Sequence, residues 1–134
     1  MWRHRYGGNV FQQWPAALAA LSGLDTMLPR LPEFVAHARV VAAALAGLPG
    51  ARVYPDPPHT HQFQLWLPYP AERLEAAALA LADSERAWFA SGWRDGEAPG
   101  TAMAEVTVAE PACELDAAAV GEIGRRYLEL VSGA

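Results

Sequence analysis

The segment from Gln62 to Leu67, QFQLWL, alternates strictly, with Phe63, Leu65 and Leu67 in one phase and Gln62, Gln64 and Trp66 in the other. Successive side chains of an extended chain point to opposite faces, so this is a strand with one buried side. Whatever the rest of the chain does, it must supply partner strands for this segment and apolar cover for one face of the sheet they make.

Cover is available as helical stripes. Pro15 suits a first helical turn, where its missing N–H costs nothing, and Leu18, Leu21, Leu24 and Leu28 follow at three- and four-residue spacing. Pro29 and Pro32 interrupt the ladder, and Phe34, Ala38, Val41, Leu45 and Leu48 resume it until Leu48-Pro49-Gly50 ends it. The expectation is two helices, or one kinked helix, feeding a shared core. Pro68-Tyr69-Pro70 opens a third helical pattern over 71–82, with Leu74, Ala78 and Leu81 as its buried stripe. Asp116 is placed as the N-cap of a final helix that sets Val120, Ile123, Tyr127 and Val131 on one face and stops at Ser132-Gly133.

Partner strands are expected at 51–54, at 87–90 (the weaker of them) and at 102–109, where Ala104, Val106 and Val108 alternate with Met103, Glu105 and Thr107. Asp56-Pro57-Pro58 is a rigid turn, and Asp95-Gly96 and Pro99-Gly100 mark a hairpin-like connection. The order of elements describes an α+β fold: N-terminal helices lead into a small, mostly antiparallel sheet with helices packed on one face.

Composition bounds the function. A chain of 134 residues with 52% hydrophobic and 19% charged residues holds one modest core. Its longest apolar runs, such as 40–48, are far short of the roughly 20 residues of a membrane helix, and no signal core follows Arg3 and Arg5, so no membrane partner and a cytoplasmic location are expected. A net charge of −5 argues against nucleic acid as a partner, because that binding draws on clustered cations. The single Cys113 excludes an internal disulfide and a Cys-rich zinc site. His59 and His61 would project to one side of an extended chain but lack a third ligand held by spacing, so no metal is expected. All ten basic residues are arginine.

The segment from Arg3 to Leu28 is a basic, aromatic approach to a glycine pair that runs into an apolar helix. It resembles the stretch just after the cofactor lysine in pyridoxal-phosphate enzymes of the threonine aldolase and β-eliminating lyase family, which carry a GGGMRQ-like motif there. Gly7, Gly8 and Gln12 match two glycines and the glutamine of that motif, Asn9 replaces the third glycine, and Phe11 falls on its arginine. Thr60-His61 sits where the family often has Thr-Asn, and Val106-Thr107 matches the centre of an RLVTH-like strand whose arginine falls on Ala104.

The resemblance implies the C-terminal part of such a lyase. Residues 1–28 would be a connecting segment and helix beside a large cofactor domain, and 29–134 a small C-terminal α/β domain. It implies pyridoxal phosphate as cofactor, a small amino acid as substrate, cleavage of a β-hydroxy amino acid between Cα and Cβ, and a homo-oligomer. Gly7, Gly8, Arg5 and His4 would lie at the cofactor, and Thr60 and His61 on the substrate side. No catalytic residue is assigned, because the cofactor is stored on a lysine amine and arginine cannot replace it. The isolated chain is therefore expected to be inactive. The alternative is a stand-alone, non-catalytic α+β module that dimerises through its tryptophan-bearing surface. A bare leucine stripe at Leu18, Leu21, Leu24 and Leu28 would favour the first, and a covered stripe the second.

Overall fold

The fold is seen in a computed structural model that describes residues 12–133. These residues form two units, 12–32 and 33–133.

The first unit is one helix, α1 (Trp14–Thr26), and a 3-10 turn at Leu28–Arg30. Pro15 occupies the first turn of α1 as its spacing predicts. The expectation that this stripe feeds a shared core is not met. α1 has no buried residue, and Leu18, Leu21, Leu24 and Leu28 are each more than half exposed. A single helix and a turn have no second apolar face to close on, so the stripe lies bare.

The second unit carries the core. Helix α2 (Leu31–Ala46) buries Phe34, Ala38, Val41, Ala42 and Leu45, the resumed stripe, and Leu48 follows at its end. Gly50, at φ +74°, then turns the chain into β1 (Arg52–Tyr54). After the proline turn, whose Tyr54–Pro55 and Asp56–Pro57 bonds are cis, comes β2 (Gln62–Leu67), with Phe63, Leu65 and Leu67 buried as the alternation requires. Helix α3 (Ala71–Glu85) buries Leu74, Ala77, Ala78 and Leu81, and ends at Arg86, which takes a left-handed conformation.

The weak strand expected at 87–90 does not form. That stretch is irregular because its side chains are engaged elsewhere: the Phe89 ring stacks on Tyr127 at 4.5 Å and Ala90 is buried. The strand is instead β3 (Arg94–Asp95), which pairs with β4 (Ala102–Thr107) across the turn marked by Asp95-Gly96 and Pro99-Gly100. The last helix, α4 (Ala117–Gly133), is capped as expected, Asp116 Oδ1 accepting from the Ala119 N–H at 2.8 Å.

The strands form one antiparallel sheet in the order β1-β2-β4-β3. β2 and β4 pair Phe63 with Val106, Leu65 with Ala104 and Leu67 with Ala102, so one face is apolar and joins α2, α3 and α4 in a single core. The other face carries Gln62, Gln64, Trp66, Met103, Glu105 and Thr107 and is exposed or half-buried. This is the α+β arrangement read from the sequence, with helices on one face.

Two close approaches set how the layers meet. A Cβ on Gly124 of α4 would lie 2.6 Å from Leu48 Cδ1, so the buried Leu48 side chain would have to shift to admit one where α4 docks over the end of α2. At the centre of the core the Tyr127 ring lies between Phe89 and Trp93, its hydroxyl donating to the Leu74 carbonyl at 2.8 Å. Burial, and secondarily the Glu75 carboxylate, raises the Tyr127 phenol above the usual tyrosine range.

Candidate functional site

Cofactor-side positions His4, Arg5, Gly7 and Gly8, with Phe11, lie outside the described residues. Gln12, the remaining motif position, is exposed with its backbone at φ 54°.

The substrate-side pair sits at the start of β2. Thr60 is exposed and its hydroxyl oxygen accepts from the Gln62 N–H at 3.1 Å, a local turn of the kind threonine makes. His61 is half-buried, and its carbonyl accepts from the Val108 N–H at 2.8 Å, extending the β2–β4 ladder by one bond. Beside them Gln62 Nε2 donates to Thr107 Oγ1 at 3.0 Å on the open face.

The opposite end of the open face holds a groove of about 1010 Å³ that the sequence reading did not single out. Trp66 and Gln64 line it from β2, Arg52 and Tyr54 from β1, and Glu97 and Thr101 from the β3–β4 connection. The Trp66 indole N–H donates to Gln64 Oε1 at 3.2 Å. Gly96 brings the connection against the ring, since a Cβ there would stand 2.9 Å from Trp66 Cζ3. The visible signals are a tryptophan on the polar phase of β2 and a glycine in the following turn. Aromatic faces and the Arg52 guanidinium suit binding, and no nucleophile paired with a base lines the groove.

Thr60 and His61 are not brought to this groove. Trp66 stands five residues along the strand from His61, roughly 16 Å at the usual rise. Ala104, the position that falls on the family's arginine, is fully buried on the helix-covered face, where a guanidinium would be desolvated. On β4 the open-face positions are Met103, Glu105 and Thr107.

The histidines are dispersed by structure. His37 Nε2 is 2.9 Å from the Ala112 carbonyl and ties α2 to the 3-10 turn at Glu110–Glu114, while His59 is exposed on the proline turn. Among the described residues no group of three or more His, Cys, Asp or Glu comes together to hold a metal ion. Cys113 is half-buried in that same 3-10 turn. On the outer face of α4, the Arg126 guanidinium bridges Glu122 and Glu85 and holds the Glu122 carboxyl below its ordinary range. No helix among the described residues is long and apolar enough to cross a membrane.

No family model matches the sequence, and no curated protein matches it. Solved structures do. A protein provisionally named an aromatic amino acid β-eliminating lyase/threonine aldolase, from Exiguobacterium sp. 255-15, superposes with a TM-score of 0.78 over 96% of this chain at 21% identity. A provisionally named L-allo-threonine aldolase from Listeria monocytogenes EGD-E does so with the same score and coverage at 19% identity. The fold is that of part of a threonine-aldolase-type structure. The chain spans 36% of the length of each of these two proteins. The likeness embraces almost all of this chain, so the threonine-aldolase-type fold accounts for the element order and sheet topology together.

Proposed function

We propose that these residues are the C-terminal part of a pyridoxal-phosphate-dependent, threonine-aldolase-like lyase of the cytoplasm, acting on a β-hydroxy amino acid at its Cα–Cβ bond. The observation that carries this reading is the lopsided match: nearly the whole chain superposes on about a third of each neighbour. The bare stripe of α1 supports it, because an apolar helix face of this length ordinarily packs against further protein.

The residues present do not fit covalent attachment of the cofactor. No lysine occurs among the 134 residues, and arginine stays protonated and does not form the required bond. In such enzymes pyridoxal phosphate supplies the electron sink and the protein selects the bond to be broken. In this reading the chain's own share is a frame: His4, Arg5, Gly7 and Gly8 border the cofactor, and Thr60 and His61 stand on the substrate side.

The test is the size of the native polypeptide and the activity that travels with it. An antibody against this chain should detect a species much larger than 14.4 kDa in source cells, and threonine cleavage should co-purify with it. The purified 134-residue chain, mixed with pyridoxal phosphate and dialysed, should retain no cofactor absorbance. Detection of only a 14.4 kDa species without lyase activity would sink the reading in favour of a stand-alone, non-catalytic dimerising module.

A further inference from the structure

We propose that the Trp66 groove on the open face of the sheet binds a short zwitterionic peptide, a dipeptide with free ends and an aromatic side chain. The site is independent of the lyase reading. Two charged side chains line the groove, Arg52 from β1 and Glu97 from the β3–β4 connection. In the strand order β1-β2-β4-β3 they stand on opposite sides of β2, roughly 10–14 Å apart at the backbone by strand spacing. Both are exposed, and neither makes an ion pair or a hydrogen bond with another described residue.

Between the two charges lie groups that suit a peptide body. The ladder pairs Arg52 with Trp66 and Tyr54 with Gln64, so all four share the open face, with the two aromatic rings at diagonal positions. Tyr54 is 66% exposed and Trp66 is half-buried, an apolar floor that gains from being covered by a further ring. The Trp66 indole N–H occupies Gln64 Oε1, which leaves Gln64 Nε2 to donate to a peptide carbonyl. Charge then selects among ligands. An anion would pair with Arg52 but meet Glu97 and a chain of net charge −5, and a cation would meet the Arg52 guanidinium. A zwitterion with separated ends suits both walls, its carboxylate on Arg52 and its ammonium on Glu97. In a free α-amino acid both charges hang on one carbon, too close together to meet opposite walls.

Isothermal titration calorimetry of glycyl-phenylalanine into the 134-residue chain tests this, with circular dichroism to confirm that each variant is folded. Saturable binding is expected. Acetylation of the peptide amine, amidation of its carboxylate, Glu97→Gln and Arg52→Gln should each weaken it roughly tenfold. The losses should also pair: the acetylated peptide should not respond to Glu97→Gln, nor the amide to Arg52→Gln. Arg94→Gln and Glu105→Gln, on the same face but outside the groove, should leave the affinity unchanged. Absence of saturable binding, or equal affinity for free phenylalanine, would overturn the proposal. So would binding that survives both Arg52→Gln and Glu97→Gln, which would place the peptide elsewhere. None of these outcomes bears on the size of the native polypeptide, so the lyase reading stands or falls separately.

Discussion

Asp95 Oδ1 accepts a hydrogen bond from the Ala71 N–H at 2.9 Å, so helix α3 is capped by a residue 24 positions downstream. Its own N-cap, Pro70, has no side-chain group to offer. One turn further along α3, Glu75 Oε1 accepts from the Trp93 N–H at 2.7 Å. The segment leading to β3 is thus fastened to α3 at two points, and the cap ties formation of the β3–β4 hairpin to stability of the helix.

Asp95→Ala should therefore cost about 1 kcal/mol, the usual loss of a helix cap, and lower the melting temperature by a few degrees. Asp95→Asn, which keeps an acceptor oxygen, should retain most of the stability. Urea unfolding followed at a helical wavelength distinguishes the two; equal loss in both variants would mean that charge, not capping, is what matters.

Gly121 and Gly124 share helix α4 but should answer alanine in opposite directions. A Cβ on Gly121 meets nothing within 4 Å, so Gly121→Ala should add up to about 1 kcal/mol from helix propensity alone. On Gly124 the same atom meets the buried Leu48 side chain at 2.6 Å, and overpacking of roughly 1–3 kcal/mol outweighs that gain. Gly124→Ala combined with Leu48→Ala should cost less than the sum of the single changes, a coupling readable in a double-mutant cycle.

Tyr127 should give the fold an alkaline limit. Burial raises its phenol above the ordinary range, so the folded state holds the proton more tightly than the unfolded chain does. That contribution is complete below the unfolded value of about 10 and is lost as pH rises from there toward the folded value. Tyr127→Phe removes the hydrogen bond to Leu74, costing about 1 kcal/mol at neutral pH, and should flatten this alkaline decline. Unfolding free energies at several pH values for the two proteins decide it; parallel curves would assign the decline to other groups.

Leu21→Glu and Leu24→Glu on α1 should leave the unfolding of the core unit unchanged, since neither side chain is buried. They should reduce binding of a hydrophobic dye. A marked loss of stability would mean that the stripe is covered in solution.

Much of this architecture was legible where a residue's periodicity and its burial have the same local cause. Phe63, Leu65 and Leu67 had only one way to face, and Phe34, Ala38, Val41, Leu45 and Leu48 form one helical stripe with a sheet to cover. The 87–90 reading failed because Phe89 is held by Tyr127, a partner 38 positions away that no local pattern announces. For α1 the expectation of a shared core fails and that of a bare stripe in a fragment holds: the stripe is a true helical stripe, but periodicity says that a face is apolar, not what lies against it. Thr60 and His61 stand at the head of β2, where the alternation of that strand puts them, whereas the Trp66 groove has Gly96 approaching the indole ring across the sheet. Contacts of that kind arise from strand register and have no signature within a single segment.

The sheet offers little backbone edge at either rim. Its outer strands are three and two residues long, and β1 is bracketed by Pro49 and Pro55, whose nitrogens have no hydrogen to offer a further strand. Edge-to-edge polymerisation through the backbone is thereby discouraged even in a chain with 52% hydrophobic residues. Association is left to side chains, which can be matched to a particular partner as a bare strand edge cannot.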